Sequence, residues 1–540
     1  MLGDDEAASG GKVNTTTMKP RRYIENDYCK GKRVSCIKFH PKRHFLVAMS
    51  MIDNMDFDTR SKVQGTSFES HVLILNFMDN HIIKLNYVLE TPIEITTIEF
   101  HPDNPNVLYG GCFNGQIIVW DITSQDHKVT AETKSKLDVG GGDDDDFAVP
   151  GEEQDEKSQS VIKMKHMWLS LLNVSHKNFV GDLAFVPPTI NVDKRNLSNG
   201  KHTHIISVSE DGIVNIWDTR PIDKETLKNA RDFLWKPYLR LELFKQDGSG
   251  ELGLSRILLS PSQETPTFWA VSDEGDLVLI DWSIKPIQTG DDGPKLAEYV
   301  RFTYDTQKEN RAALALERSP FYPSLLLTVH NFQFSIWKID LEEYEKPIFT
   351  SAPTYGAHNT CGAFSPTRPG VIFITKTNGI DVWDFLDQSN KPSLVFNIAT
   401  SPYMYCKFQF HKHFDNKQYM ALGDKENGTL FLYEVPANLK LMQENEKENI
   451  QKFWDREIQK CKFVIEQRER KKEEYARAKD EDARKKALAE AAKEISEEAL
   501  MAKELEQEEQ YQDLLLKYKA EFKLITDEEL EAIQSKKKKK

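Results

Sequence analysis

The chain has 540 residues, of which 39% are hydrophobic and 29% charged, and its formal net charge is −14. That length holds one large domain with extensions, and the low apolar share points to a folded core diluted by solvated segments. The acidic balance argues against general nucleic-acid binding, and no apolar run is long enough to span a bilayer as a helix.

Residues 1–20 are polar and Gly-rich and read as disordered; they lack the basic and apolar regions of a signal peptide. From residue 21 a unit begins to recur. Its first strand is apolar and often ends in His-Pro or Ser-Pro. The copies run Val34 to Phe39, Ile95 to Phe100, Val180 to Phe185, Leu254 to Leu259, Ala313 to Arg318, Thr360 to Phe364 and Tyr405 to Phe410. A second apolar strand and a tight-turn pair follow. The pairs Asn114-Gly115, Asp211-Gly212, Glu274-Gly275, Asn378-Gly379 and Asn427-Gly428 suit a hairpin, because Gly tolerates the positive φ of the turn. Glu69-Ser70 and Asn331-Phe332 are degenerate versions.

A third strand then ends near a Trp-Asp pair. The positions are Leu75-Asn76, Trp120-Asp121, Trp217-Asp218, Ile280-Asp281, Trp337-Lys338, Trp383-Asp384 and Tyr433-Glu434. Seven units in register predict an all-β, seven-bladed WD40 β-propeller over 21–435. Each blade needs a fourth, outer strand, for which Ile82 to Leu89 and Tyr238 to Phe244 are candidates. The seventh unit has none after Tyr433, because Pro436 intervenes. The segment Arg22 to Cys29 is expected to supply it and close the ring, since an open ring leaves sheet edges unpaired.

Between the second and third units lies a long insertion. It carries Gly140 to Asp146 and Glu152 to Glu156, and reads as an acidic disordered loop over about 125–165. After Pro436 the composition changes to Glu, Lys, Ala, Gln and Leu without Pro or Gly, which predicts a charged and amphipathic helical tail over 436–533. Residues 439–465 place Leu441, Ile450, Phe453, Trp454, Ile458 and Cys461 at roughly helical spacing. This face either docks a partner or packs back on its own propeller, and the pattern leaves both open. Phe453, Trp454 and Ile458 are the partner-binding candidates, because large aromatics dominate interface energetics. Residues 466–494 alternate in sign, as a solvated spacer does. Ile495, Leu505, Tyr511, Leu515, Tyr518 and Phe522 form a second amphipathic part, and Thr526 to Glu529 is a capping box that starts a separate short helix. Residues 534–540 are a Lys-rich, disordered end.

Nothing in the sequence supports catalysis, a cofactor or a metal. Gly248 to Gly253 matches G-x-G-x-x-G, but a strand follows where a dinucleotide loop needs a helix. His40 and His101 sit beside Pro in equivalent turns, and His411 and His413 flank Lys412, so a structural role is expected for them. The six cysteines include no Cys-x-x-Cys pair, which favours free thiols in a reducing, intracellular setting, with Cys36, Cys112, Cys361 and Cys406 buried in strands. Trp120, Asp121, Asp211, Gly212, Trp217, Asp218, Trp337, Trp383 and Asp384 are read as blade architecture rather than chemistry.

The seven units, carried best by Phe185 through Trp217-Asp218-Thr219-Arg220-Pro221, together with a helical tail directly after the last blade, resemble the WD40 intermediate chains of dynein motors. The resemblance is nearest to an axonemal inner-arm intermediate chain. It implies a non-catalytic scaffold whose propeller docks on a dynein heavy-chain tail in a cilium or flagellum. The partners it implies are heavy chains, other intermediate and light chains, and microtubule-associated axonemal proteins, with no membrane and no nucleic acid. Such chains usually carry a long light-chain-binding segment before the propeller, and about twenty residues precede the first strand here. The alternative is a general WD40 adaptor in another intracellular assembly, in ribosome biogenesis or a ubiquitin ligase.

Overall fold

The structure is a computed structural model. It describes residues 20–24, 26–63, 65–66, 68–79, 82–123, 128–130, 161–192, 200–220, 235–245, 248–260, 264–283, 295–296, 298–302, 313–340, 346–354, 356–397, 408–410, 417–424 and 427–537. The acidic runs at 140–146 and 152–156, residues 1–19, Pro221, Cys406, His411, His413 and Lys538 to Lys540 lie outside them. The chain forms two compact units, Met1–Glu457 and Ile458–Lys540.

The first unit is the seven-bladed propeller. Blade 3 shows how its sequence builds a sheet. Val180–Phe185, His204–Ser209 and Ile213–Asp218 are apolar, largely β-branched strands that pair antiparallel. Gly212, at φ 71°, makes the turn between the last two. Leu239–Glu242 adds the outer strand. The same order recurs in seven sheets among the described residues. Blade 7 consists of Phe408–Phe410, Tyr419–Gly423 and Leu430–Glu434, and Pro20–Tyr23 joins it antiparallel as the outer strand. The ring thus closes with the start of the chain, as anticipated, but through Pro20–Tyr23; Asn26–Cys29 is a helical turn.

Apolar clusters fill the junctions between neighbouring blades. Leu430, Leu432 and Tyr419 of blade 7 pack with Val34, Ile37 and Val47 of blade 1. Tyr109 and Val119 of blade 2 pack with Val180, Ile205 and Trp217 of blade 3. Each fully buried large aliphatic side chain contributes about 1.5–3 kcal/mol, so these seams hold the ring.

Blade 1 departs from the expected pattern in two ways. Its second and third strands, Leu46–Asp53 and Ser70–Asn76, are linked through a short helix, Phe57–Lys62, where a tight turn at Glu69-Ser70 was anticipated. Asp56 caps that helix by accepting the Thr59 N–H. The sheet also gains Ile162–Met164, parallel to Tyr87 to Leu89, and Lys128–Thr130 beyond it. The two ends of the acidic insertion are therefore strands, because the outer edge of blade 1 offers unpaired backbone groups that they satisfy.

The helical tail starts at Ala437 but is not one continuous helix. A short helix, Ala437–Lys440, precedes a break at which Asn445 adopts φ 57°. The long helix then runs Glu446–Glu521 and a short one Asp527–Lys537. Between them the expected capping box forms in part, the Thr526 N–H donating to Glu529 Oε2 at 3.3 Å. Gly248 to Gly253 is an inter-blade loop, bridged Phe244 to Glu251 and followed by the strand Leu254–Leu258.

Candidate functional site

The Trp-Asp residues sit where blade architecture needs them. In blade 3, Trp217 is fully buried, and its Nε1–H donates to Ser207 Oγ at 2.9 Å. Ser207 Oγ lies 2.8 Å from His176 Nε2, and His176 Nδ1 lies 3.3 Å from Asp211 Oδ1. Asp211 also accepts the N–H groups of Lys177 (2.8 Å) and Ile213 (3.0 Å). This chain of bonds ties the loop before the first strand to the turn at Gly212. Blade 5 repeats part of it, with Trp337 donating to Thr328 Oγ1 at 2.9 Å. Trp120 is fully buried with a longer contact, 3.4 Å, to Glu90 O. Trp383 is buried edge-on against Phe334, 5.0 Å between centroids. Asp121 and Asp218 stand at strand ends and accept from Thr123 N–H (2.9 Å) and Arg220 N–H (2.9 Å).

Burial opposes ionisation of Asp211, but the bonds from His176, Lys177 and Ile213 outweigh it and hold its carboxyl below the ordinary value. A depressed acid stabilises above its unfolded pKa of about 3.9, and that contribution is lost as pH falls through the folded value. Asp211→Asn is therefore expected to lower the denaturation midpoint at pH 7, with the gap to wild type closing below about pH 4.

The turn histidines are structural acceptors. His40 Nδ1 accepts the N–H of Lys42 (3.2 Å) and Arg43 (2.8 Å), and His101 Nδ1 those of Asp103 and Asn104 (3.2 Å each). Burial first, then Arg43 and Lys42, lower His40 to about 4, which keeps it neutral. Cys36 and Cys112 are buried as expected, whereas Cys361 is half-buried and lines the central channel. Among the described residues no cluster of three His, Cys, Asp or Glu is placed to hold a metal ion.

A recurring irregularity shapes that channel. The first strands of six blades bulge at one place, after Val34, Ile95, Val180, Leu254, Ala313 and Asn359. A bulge re-aims the side chains that follow it. The channel is a cavity of about 420 Å³ whose lining includes Lys38, Glu99, Asp182, Arg256 and Glu317. Lys38 pairs with Glu99 at 2.5 Å, and Arg256 donates to Leu314 O (3.0 Å) and Gly181 O (2.6 Å). In the sequence these charges are polar residues recurring inside apolar strands, and nothing local distinguishes them from solvent-facing positions. Burial pushes Glu317 up to about 7, Lys38 opposing and Asp182 adding to the shift. A raised acid loses stability as pH rises from its unfolded pKa, near 4.3, through the folded one. Glu317→Gln should therefore unfold at higher denaturant than wild type at pH 8, and the gain should vanish towards about pH 4.

The third feature is the seat of the long helix. Arg368, 2% exposed, donates from Nε to Glu446 Oε1 and Oε2 (3.1 and 3.0 Å) and from Nη1 to Asn438 O (3.0 Å). Its Nη2 lies 2.9 Å from Asp384 Oδ2. Glu446 starts the helix and also accepts the Gln443 N–H at 2.8 Å. Tyr322 donates to Lys447 O at 2.7 Å. One turn on, Ile450 is fully buried beside Gly370, where a Cβ would lie 2.5 Å from Ile450 Cδ1. Phe453 stacks on Phe385 at 5.4 Å, and Trp454 meets it edge-on at 5.2 Å. Of the two roles open to Phe453 and Trp454, packing on their own propeller is the one this geometry takes. Ile458, the third partner-binding candidate, belongs to the second unit. Sequence reasoning missed Arg368 and Glu446, since 78 residues separate them.

The closed ring and its Trp-centred blades are matched by a protein-family model described as the dynein axonemal intermediate chain 3 WD40 domain, over residues 20–267 and 252–435. The chain is 24% identical to dynein axonemal intermediate chain 3 of Homo sapiens, over 88% of this chain and 59% of that protein. The Macaca fascicularis protein of the same name is 24% identical over 90% of this chain and 60% of its own length. Dynein axonemal intermediate chain 2 of Homo sapiens is 27% identical over 89% and 64%. The chain spans about three fifths of the length of the intermediate chain 3 relatives it matches. On the match across its whole ring, this chain belongs to the dynein axonemal intermediate chain 3 WD40 domain family.

Proposed function

We propose that this chain is a non-catalytic intermediate chain of an axonemal, inner-arm dynein, its propeller docking on the tail of a dynein heavy chain. The observation that carries the reading is the family match running through all seven blades, 20–435. Physical features support it. A ring closed by Pro20–Tyr23 is a rigid body with two faces and a rim, able to hold several partners at fixed spacing. The Arg368–Glu446 clamp gives the helix a fixed origin on blade 6. Other intermediate chains, light chains and microtubule-associated axonemal proteins are the further partners of such a subunit, and the axoneme of a cilium or flagellum is its place.

A fluorescently tagged chain expressed in ciliated cells tests this reading. It is expected to line the axoneme and to stay there after detergent removes the membrane. Steady nuclear signal, or crosslinking of the Lys-rich end to RNA, would instead favour an adaptor of another assembly.

A further inference from the structure

The second unit carries exposed apolar residues along its helix. Met501, Leu505, Tyr511 and Tyr518 on the helix, and Phe522 just past its end, are each more than half exposed; the Phe522 N–H still donates to Tyr518 O at 3.0 Å. Met501, Leu505, Glu508, Gln512, Leu515, Lys519 and Phe522 follow one another at alternating steps of four and three, the spacing of a coiled-coil seam. Two seam positions are charged, Glu508 and Lys519. They stand about 16 Å apart along the helix, too far to meet within one chain.

Their placement is symmetric. The midpoint of Glu508 and Lys519 falls between residues 513 and 514, and reflection about that point carries Leu505 onto Phe522 and Gln512 onto Leu515. Reflection along a helix is what an antiparallel copy does. The surrounding charge has the same polarity. Within ten residues of the midpoint, Glu504, Glu506, Glu508, Glu509 and Asp513 stand before it without a basic residue, and Lys517, Lys519 and Lys523 outnumber Glu521 after it.

We propose that this face binds a second copy of the same chain, running antiparallel over residues 501–522. In that register Glu508 of each copy meets Lys519 of the other, Leu505 packs on Phe522, and the acidic half lies along the basic half. A parallel pair would set Glu508 against Glu508 and Lys519 against Lys519, which like charges oppose. The polar seam layers fix register and direction at some expense in affinity.

Sedimentation of the full chain tests the pairing, with helix content followed by circular dichroism to show that variants stay folded. Wild type is expected to form a concentration-dependent dimer. Glu508→Lys and Lys519→Glu should each weaken it by at least about tenfold, since each places two like-charge layers in the seam. An equimolar mixture of the two variants, or the double variant alone, restores opposite charges in both layers and should restore the dimer. A monomeric wild type would overturn the proposal. So would a dimer indifferent to Lys519→Glu, or one that neither the mixture nor the double variant restores.

Discussion

Arg368→Ala is expected to destabilise the first unit by about 3–5 kcal/mol, because it leaves buried carboxylates without their cation. Glu446 is 1% exposed, and its two oxygens receive Arg368 Nε; Asp384 is close behind, 2.9 Å from Nη2. Burial already raises the Asp384 carboxyl, and Arg368 only partly pulls it back. Removing the guanidinium therefore strands Glu446 and Asp384 together, and unties Asn438 O as well. Chemical denaturation measures the loss, and hydrogen exchange should show faster opening over 446–457. Glu446→Gln alone should also destabilise. Combined with Arg368→Met, it should cost less than the two single changes added together, since the partners act on each other. Additive losses would mean that the clamp is not one unit.

Trp217→Ala is the second large effect, expected to cost about 3–5 kcal/mol through the cavity left in a close-packed seam. Trp217 is completely buried, with its ring 5.0 Å from Trp235 and its neighbours drawn from blades 2 and 3. Its loss also removes the donor to Ser207, the middle of the chain that reaches His176 and Asp211. Trp217→Phe keeps most of the apolar volume and loses the N–H, so a smaller loss of about 1 kcal/mol is expected. Thermal unfolding of the two variants separates packing from hydrogen bonding. Equal losses would place the weight on the bond, and no loss would contradict the blade seam.

The sequence reading succeeded where the information is local. An Asp-Gly or Asn-Gly turn between two β-branched runs specifies a hairpin by itself, so Val208 to Trp217 could be placed without knowing its neighbours. It failed where the partner is distant. Ile162–Met164 becomes a strand because the outer strand of blade 1, more than 70 residues earlier, lacks a neighbour. Asp56 caps a helix in the stretch before the degenerate pair Glu69-Ser70, since one capping residue is a weak signal beside a repeat. Phe453 and Trp454 show the same limit from the other side. Their helical spacing marks an apolar face, but only Phe385, Gly370 and Arg368, brought in by the sixth blade, select what covers it. The channel charges fall between these cases. Lys38, Glu99 and Glu317 hold the same place in three inner strands, yet without the shared bulge nothing says which way they point.

The scaffold reading stands or falls on one measurement. The tagged chain should be recovered at gentle salt from demembranated axonemes and its co-purifying proteins identified by mass spectrometry. A dynein heavy chain in near-stoichiometric amount is the result predicted, retained when Arg368 and Trp217 are intact and diminished when either is replaced by Ala. Recovery of the folded chain without any dynein heavy chain would contradict the account.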